Sequence, residues 1–338
     1  MRSSRTCVVL AAAALGAVLV SAPVALADDG DGFTIKDPRI TESSGLAASR
    51  AHPGVYWTHN DQDGPYVYAV DGKSGETVAR ITMRGVGKPR DMEAISVGPD
   101  GAVYVGDIGD NRGGTWSHVW IYRFAEPKVL KDRTVDAAQY VVKYADGARD
   151  AEALMVHPTT GRVYIGSKDQ GGGGLYEGPA RLSTEGTNVF RKVADVPWVT
   201  DGAFSPDGRE LVLRSYLGAE SFAWKDGGRG LGEGRSLNIG YRGQSESVTF
   251  DLDGRSLLFG AEGERSAVAR LAVQGAPGSG GAGSSGGASG SASPGPSDGS
   301  ESAAGGRGPA GNGVTALVVI GAAVLLWAGL RRKRSRGA

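Results

Sequence analysis

A two-strand pattern recurs five times between residues 42 and 263, and this repeat restricts the chain more than any other feature. The copies are ESSGLAASRAHPGVYWTHND (42–61), DMEAISVGPDGAVYVGD (91–107), DAEALMVHPTTGRVYIGSKD (150–169), TDGAFSPDGRELVLRSY (200–216) and SESVTFDLDGRSLLFGAEG (245–263). Each opens on acidic or small polar residues, runs through a short apolar strand and a Pro/Asp/Gly turn, and ends a second apolar strand in polar residues. The copies start 49, 59, 50 and 45 residues apart. Periods near 40–50 residues built from short strands mark the blades of a propeller, each unable to bury its faces alone. Further strands fit between the copies, at YVYAV (66–70), TVARITM (77–83), HVWIYRF (118–124) and AQYVVKY (138–144). Glycine supplies 56 of 338 residues, far above the usual share of roughly 7%, which favours many tight turns over helices. The expected fold is all-β: a five-bladed β-propeller over 28–274, with six blades as the alternative. The last copy runs out after VARLAV (268–273), one strand short, while GFTIKDPRI (32–40) stands alone before the first. That N-terminal segment is expected to pair into the last blade and close the ring, which removes an exposed sheet edge.

The two ends read as addresses. Residues 1–27 have a basic start, an apolar run and Ala25-Leu26-Ala27 before Asp28, the layout of a cleaved signal peptide. The one cysteine, Cys7, lies within it, so the exported domain uses neither disulfides nor thiol chemistry. A second apolar run over 313–330 is followed at once by the basic tail 331–338. It is expected to form a single transmembrane helix with its C-terminus cytoplasmic and the preceding domain outside the cell. Between them, 275–312 is Gly, Ser, Ala and Pro with three charged residues. Such a segment cannot offset the entropy of ordering; as a flexible tether its mean reach is roughly 35 Å. The chain carries 37 basic and 37 acidic residues. Setting aside the seven bases at the extreme ends leaves 30 against 37, the wrong sign for binding nucleic acid.

The segments ESSGL (42–46), THND (58–61), DMEAI (91–95), YVGDIGDN (104–111), IYR (121–123), DAEAL (150–154) and SPDGR (205–209) resemble the exported bacterial β-propeller proteins of the phytase-like and WD40-like type. The resemblance covers about 220 residues and speaks for architecture more than activity, since propellers host many functions. Where relatives of this type often show Asp-Trp-Glu, this chain has Asp91-Met92-Glu93, which keeps both acids.

Strands in a blade alternate in direction, so the loop entering the first strand and the loop leaving the second share one face. The entering loops carry Glu42, Asp91, Glu93, Asp150, Glu152, Asp201 and Glu246; the leaving loops carry His59, Asn60, Asp61, Asp107, Asp110, Asn111, Lys168, Asp169 and Glu262. Aligning the turns puts Glu93, Glu152 and Glu246 in one column beside the central channel, with Thr200 there in the fourth copy. One channel mouth should therefore be ringed with carboxylates, which need compensation. Arg90 and Arg149, each just before an acid pair, could neutralise them; backbone N–H groups of neighbouring blades could brace them; or a hard cation could sit among them. Within GDIGDN (106–111), Asp107, Asp110 and Asn111 read either as oxygen ligands for Ca²⁺ or as an Asx-rich turn. Asn60-Asp61-Gln62-Asp63-Gly64 resembles part of a calcium loop, but the full spacing fails and a type I turn accounts for it. His52 and His157, each before a proline, belong to turns on the opposite face. No nucleophile elbow, zinc spacing or phosphate loop occurs in the core. Two readings stay open. One is a monomeric binding module for a cell-envelope or extracellular partner, with Ca²⁺ in a structural role. The other, implied by the phytase-like resemblance, is a metal-dependent hydrolase of phosphoesters or lactones. In it Glu93 or Glu152 acts as base, and Lys168, Arg90 or Arg149 holds the anion.

Overall fold

The structure, a computed structural model, describes residues 24–25, 32–229, 231–239 and 245–273. The segments expected to form the signal peptide (apart from Val24–Ala25), the tether, the membrane span and the basic tail lie outside the described residues. Val24–Ala25 pairs parallel to Leu237 and Asn238. Among the described residues no helix is long and apolar enough to cross a membrane.

The described chain is all-β apart from one short 3-10 turn at Asp226–Gly228. Its strands form successive antiparallel sets. The first is Ser43–Ala48, Val55–Asn60, Tyr66–Asp71 and Thr77–Arg84; the second is Met92–Val97, Ala102–Asp107, Val119–Ala125 and Ala138–Tyr144. The third is Ala151–Val156, Val163–Ser167, Gly173–Glu177 and Thr187–Val196; the fourth is Asp201–Phe204, Glu210–Ser215, Gly218–Ala223 and Arg235–Asn238. The fifth is Ser245–Phe250, Ser256–Ala261 and Ala267–Ala272, completed by Phe33–Thr34 from the segment that stands alone before the first repeat. The first strand of each set packs against the first strand of the next, and Ser245–Phe250 returns to Ser43–Ala48, so the inner strands form a closed ring.

The core lies between the sets. Five clusters of buried apolar side chains each join two neighbouring sets. In one of them Trp57, fully buried, meets Phe124 edge-on at 6.3 Å and donates its indole N–H to Glu126 at 2.6 Å. Because both faces of every sheet are covered, inner strands such as Ala151–Val156 are buried at every residue and lack the alternation of a half-exposed strand. The outer edges are partly sealed too. Arg133–Asp136, in the long connection of the second set, pairs parallel to Ile81–Arg84, and the outer strands of the second and third sets pair parallel to each other. This strap was not foreseen from the sequence. His52 and His157 lie in turns away from the acids, with ring nitrogens against the carbonyls of Pro127 (2.6 Å) and Gly208 (3.2 Å).

Candidate functional site: the acidic mouth of the ring

Four of the five inner strands shift register at the same place. The shifts fall between Ser43 and Gly45, Met92 and Ala94, Ala151 and Ala153, and Ser245 and Ser247. The residues left out of the ladder are Ser44, Glu93, Glu152 and Glu246. A bulge inserts an unpaired residue and re-aims its side chain, so the repeat delivers one polar side chain per set to the same rim. The fourth strand pairs without interruption from Asp201 opposite Arg214, and the hydroxyl of Thr200 donates to the Ser245 carbonyl at 2.8 Å. A second tier comes from the residue after each second strand: Asp61, Lys168, Tyr216 and Glu262 in the first, third, fourth and fifth sets. In the second set Ile108 turns into the core and Gly109 follows it.

Asp61, Asp91 and Glu93 converge, with one carboxylate oxygen from each lying within 4.8 Å of the others and all three side chains buried. Asp91 is gripped by Asn111, whose side-chain NH₂ donates to both carboxylate oxygens at 2.9 and 2.8 Å and whose backbone N–H reaches one at 3.3 Å. Glu93 accepts from the Ser44 hydroxyl at 2.8 Å. Burial first, then the charges of Glu93 and Asp61, push the Asp91 carboxyl far above the ordinary carboxylate range. A hard cation among these oxygens would invert that cost. Gly109 lies over the group so closely that a Cβ there would fall 2.6 Å from an Asp91 oxygen and 2.7 Å from Glu93 Cγ. Gly109→Ala is therefore expected to push these carboxylates apart, so that any cation held between them is lost while the chain still folds, read by calorimetric titration beside far-UV circular dichroism.

The other half of the mouth holds one cation of the chain itself. The Lys168 ammonium contacts the Glu152 carboxylate and donates to the Tyr216 hydroxyl at 3.0 Å. Burial would lower the Lys168 pKa, but Glu152, Tyr216, Glu93 and Glu246 outweigh it and hold it well above the usual value. Glu152 is pushed up to about 8 by burial first and by Glu93 next, with Lys168 opposing. Glu246 is raised well above its ordinary value by burial and then by Glu152.

Other expected site residues are engaged elsewhere. Asp107 accepts from the N–H groups of Asp91 (2.8 Å) and Arg90 (3.1 Å) and from the Tyr122 hydroxyl (2.5 Å). Asp110 accepts from the N–H groups of Thr115 and, at 2.6 Å, Trp116, and its own N–H donates to Asp150 at 2.8 Å. Asp107, Asp110 and Asn111 thus brace the loop, and of the three only Asn111 bonds to a carboxylate of the convergent acids. Asp201 accepts from the N–H of Val248 in the next set, at 2.8 Å. Asn60 accepts from the N–H groups of Thr41 and Glu42 at 3.0 and 3.1 Å. Burial holds the His59 pKa down, at about 4, so its imidazole is neutral. Neither arginine neutralises the acid pair beside it. Arg90 is clamped between the rings of Trp116 and Trp120, 4.0 and 3.8 Å from their centroids, and donates to the His118 carbonyl at 2.8 Å. Arg149 pairs with Asp146 at 3.0 Å and donates to the Tyr176 hydroxyl at 2.8 Å. Asp61, placed by the sequence in a leaving loop on the mouth face with Lys168 and Glu262 but as part of a type I turn, joins Asp91 and Glu93 in the cluster. Tyr216 occupies the same tier.

No protein-family model matches the chain, and no curated protein matches it. Among solved structures it is similar to a gluconolactonase from Xanthomonas campestris, at 14% identity and a TM-score of 0.45 over 75% of this chain and 95% of that one. It is also similar to the WD40 repeats of RRP9, at 9% identity and a TM-score of 0.40 over 73% of this chain and 98% of that one. At such identities the activity of neither protein passes to this chain.

Proposed function

We propose that the chain is an exported, membrane-tethered five-bladed β-propeller that binds an extracytoplasmic ligand at the acidic mouth of its ring, with Ca²⁺ held by Asp61, Asp91 and Glu93. Export and tethering rest on the two terminal segments of the sequence; the blade count rests on the five sets of strands and the closure by Phe33–Thr34. The observation that carries the binding site is the convergence of three buried carboxylates within 4.8 Å. Ca²⁺ takes 6–8 oxygen ligands, so three carboxylates leave positions for water and for the oxygen atoms of a ligand. Ser44 and Asn111 orient two of the three acids from outside. The full chain, freed of metal with a chelator and titrated with Ca²⁺ in a calorimeter, is expected to bind one ion. Asp91→Asn and Glu93→Gln are each expected to weaken that binding at least tenfold. Failure of the parent chain to bind Ca²⁺ would remove this reading.

The contact of Lys168 with Glu152 beside the acid cluster favours a second reading, a metal-dependent hydrolase of phosphoesters or lactones. A bound cation would supply Lewis acidity to the substrate oxygen; Glu152 or Glu93 would take a proton and Lys168 would hold the anion. Metal-dependent turnover of ester or phosphate substrates, lost in Glu152→Gln, separates it from simple binding.

A further inference from the structure

Among the described residues three strand pairs run parallel, and each of them closes an outer edge of the ring. Arg133–Asp136 covers the first set, and the outer strands of the second and third sets cover each other. The fifth set ends on Phe33–Thr34, two residues long, after which the Lys36 N–H donates to the Gly75 carbonyl of the first set at 2.9 Å. The fourth set is closed differently. The partner of its outer strand, Arg235–Asn238, is Val24–Ala25, with Val24 opposite Leu237 and Ala25 opposite Asn238. Those two residues belong to the segment that signal cleavage after Ala27 would remove.

Removal uncovers the edge. A strand edge presents a row of N–H and C=O groups and is a template for another chain. Arg235–Asn238 contains no proline and pairs with Ala219–Ser221 without a shift in register, so nothing bends or interrupts it. Leu237 is buried, and Arg235, Ser236 and Asn238 are exposed. An added strand is therefore held by its main chain more than by a side-chain pocket. Two copies joined through this edge about a two-fold axis would set their strands antiparallel. The parallel sense of the strand already seated there favours a segment of another polypeptide.

We infer that export opens a strand-addition site at Arg235–Asn238 whose occupant is an extended segment of a partner polypeptide, running parallel and accepted with broad tolerance of sequence. This rests on the reading of residues 1–27 as a cleaved signal and is independent of the acidic mouth.

N-terminal sequencing of the exported chain tests the cleavage by itself; a chain that keeps residues 24–25 overturns the opening of the edge. Amide hydrogen exchange then compares the full precursor, made without export, with the exported chain. Residues 235–238 are expected to exchange at least tenfold faster in the exported chain. The probe is a synthetic peptide of residues 21–27. It is expected to bind the exported chain and to slow exchange at 235–238 again. The same peptide N-methylated at both Val24 and Ala25 is expected not to bind, because successive residues of a strand turn their backbone groups to opposite sides and one of the two methyl groups must meet the edge. An extended peptide of unrelated sequence is expected to bind within a few-fold of the first. Equal exchange in precursor and exported chain overturns the inference, as does equal binding of the methylated and unmethylated peptides. Binding of the residue 21–27 peptide alone overturns the tolerance of sequence and with it the partner. Exchange at 235–238 that is slow in the exported chain and quickens on dilution places a second copy on the edge and overturns the partner as well.

Discussion

Raising the pH of the metal-free protein from 5 to 8 is expected to lower its unfolding midpoint by about 5–10 °C, and Ca²⁺ held by Asp61, Asp91 and Glu93 as proposed is expected to offset part of that fall. Glu152 is pushed up to about 8, and Asp150, Asp201 and Glu246 are raised by burial. Glu152 faces Glu93, Lys168 and Asp150; Glu246 faces Glu152, Lys168, Glu262 and Glu93; Asp201 faces Arg214 and Glu152. Unfolded, these carboxyls titrate near 4. Between there and the folded values the native state holds more protons than the unfolded state, so stability falls as pH rises. The contribution is complete below about 4 and is lost as the pH passes the folded values, near 8 for Glu152. Asp37 works the other way: its bonds to Arg39 lower it to about 2, so its contribution is present above 4 and lost as pH falls through 2. The window from 5 to 8 therefore belongs to these buried acids, Glu152 and Glu246 at the mouth with Asp150 and Asp201 behind it. A cation binds carboxylates in their deprotonated form, so Ca²⁺ held as proposed would stabilise more at pH 8 than at pH 5. Melts that stay flat across the window without metal would show that the mouth acids titrate alike in both states.

The strands and turns were legible because each repeat writes its turn in Pro, Asp and Gly; Gly101, Gly208 and Gly254 all adopt the left-handed conformation those turns require. The column Glu93, Glu152, Glu246 was legible from the same alignment. Its mechanism was not, because a bulge adds one residue without changing the apolar pattern on either side of it. Arg90 misled for a geometric reason: it sits in a bend ahead of the inner strand, and its side chain turns away from Asp91 into the gap between Trp116 and Trp120. Asp107 and Asp110 misled because short acidic side chains in loops satisfy nearby backbone N–H groups, as both do here. The meeting of Asp61 with Asp91 and Glu93 joins two repeats, and nothing within one repeat encodes it.

Arg214→Met is expected to cost about 1–3 kcal/mol, a large loss for a single substitution outside the apolar layers. The ladder explains why. Opposite the start of the inner strand, three sets pair a small residue with glycine: Ala94 with Gly106, Ala153 with Gly166, and Ser247 with Gly260. The first set enlarges one side only, with Gly45 opposite His59; a Cβ on Gly45 would come within 3.0 Å of the imidazole. The fourth set enlarges both, with Asp201 opposite Arg214. Arg214 is 1% exposed, donates to the Ser247 carbonyl at 2.8 Å and lies 5.0 Å from the Phe259 ring centroid. Asp201 accepts from Val248 N–H in the same neighbouring strand. The two side chains thus fasten the fourth set to the fifth, where Thr200 adds a hydroxyl and no mouth carboxylate. Removing the guanidinium leaves the buried Ser247 carbonyl without its donor and takes away the positive charge that opposes the rise of the Asp201 pKa. Asp201→Ala with Arg214→Met should then cost less than the sum of the two single losses, because each single variant strands the other partner. Urea unfolding followed by fluorescence and circular dichroism together measures the cycle. Strict additivity would mean that the two side chains hold the fifth set separately, each through its own backbone contact.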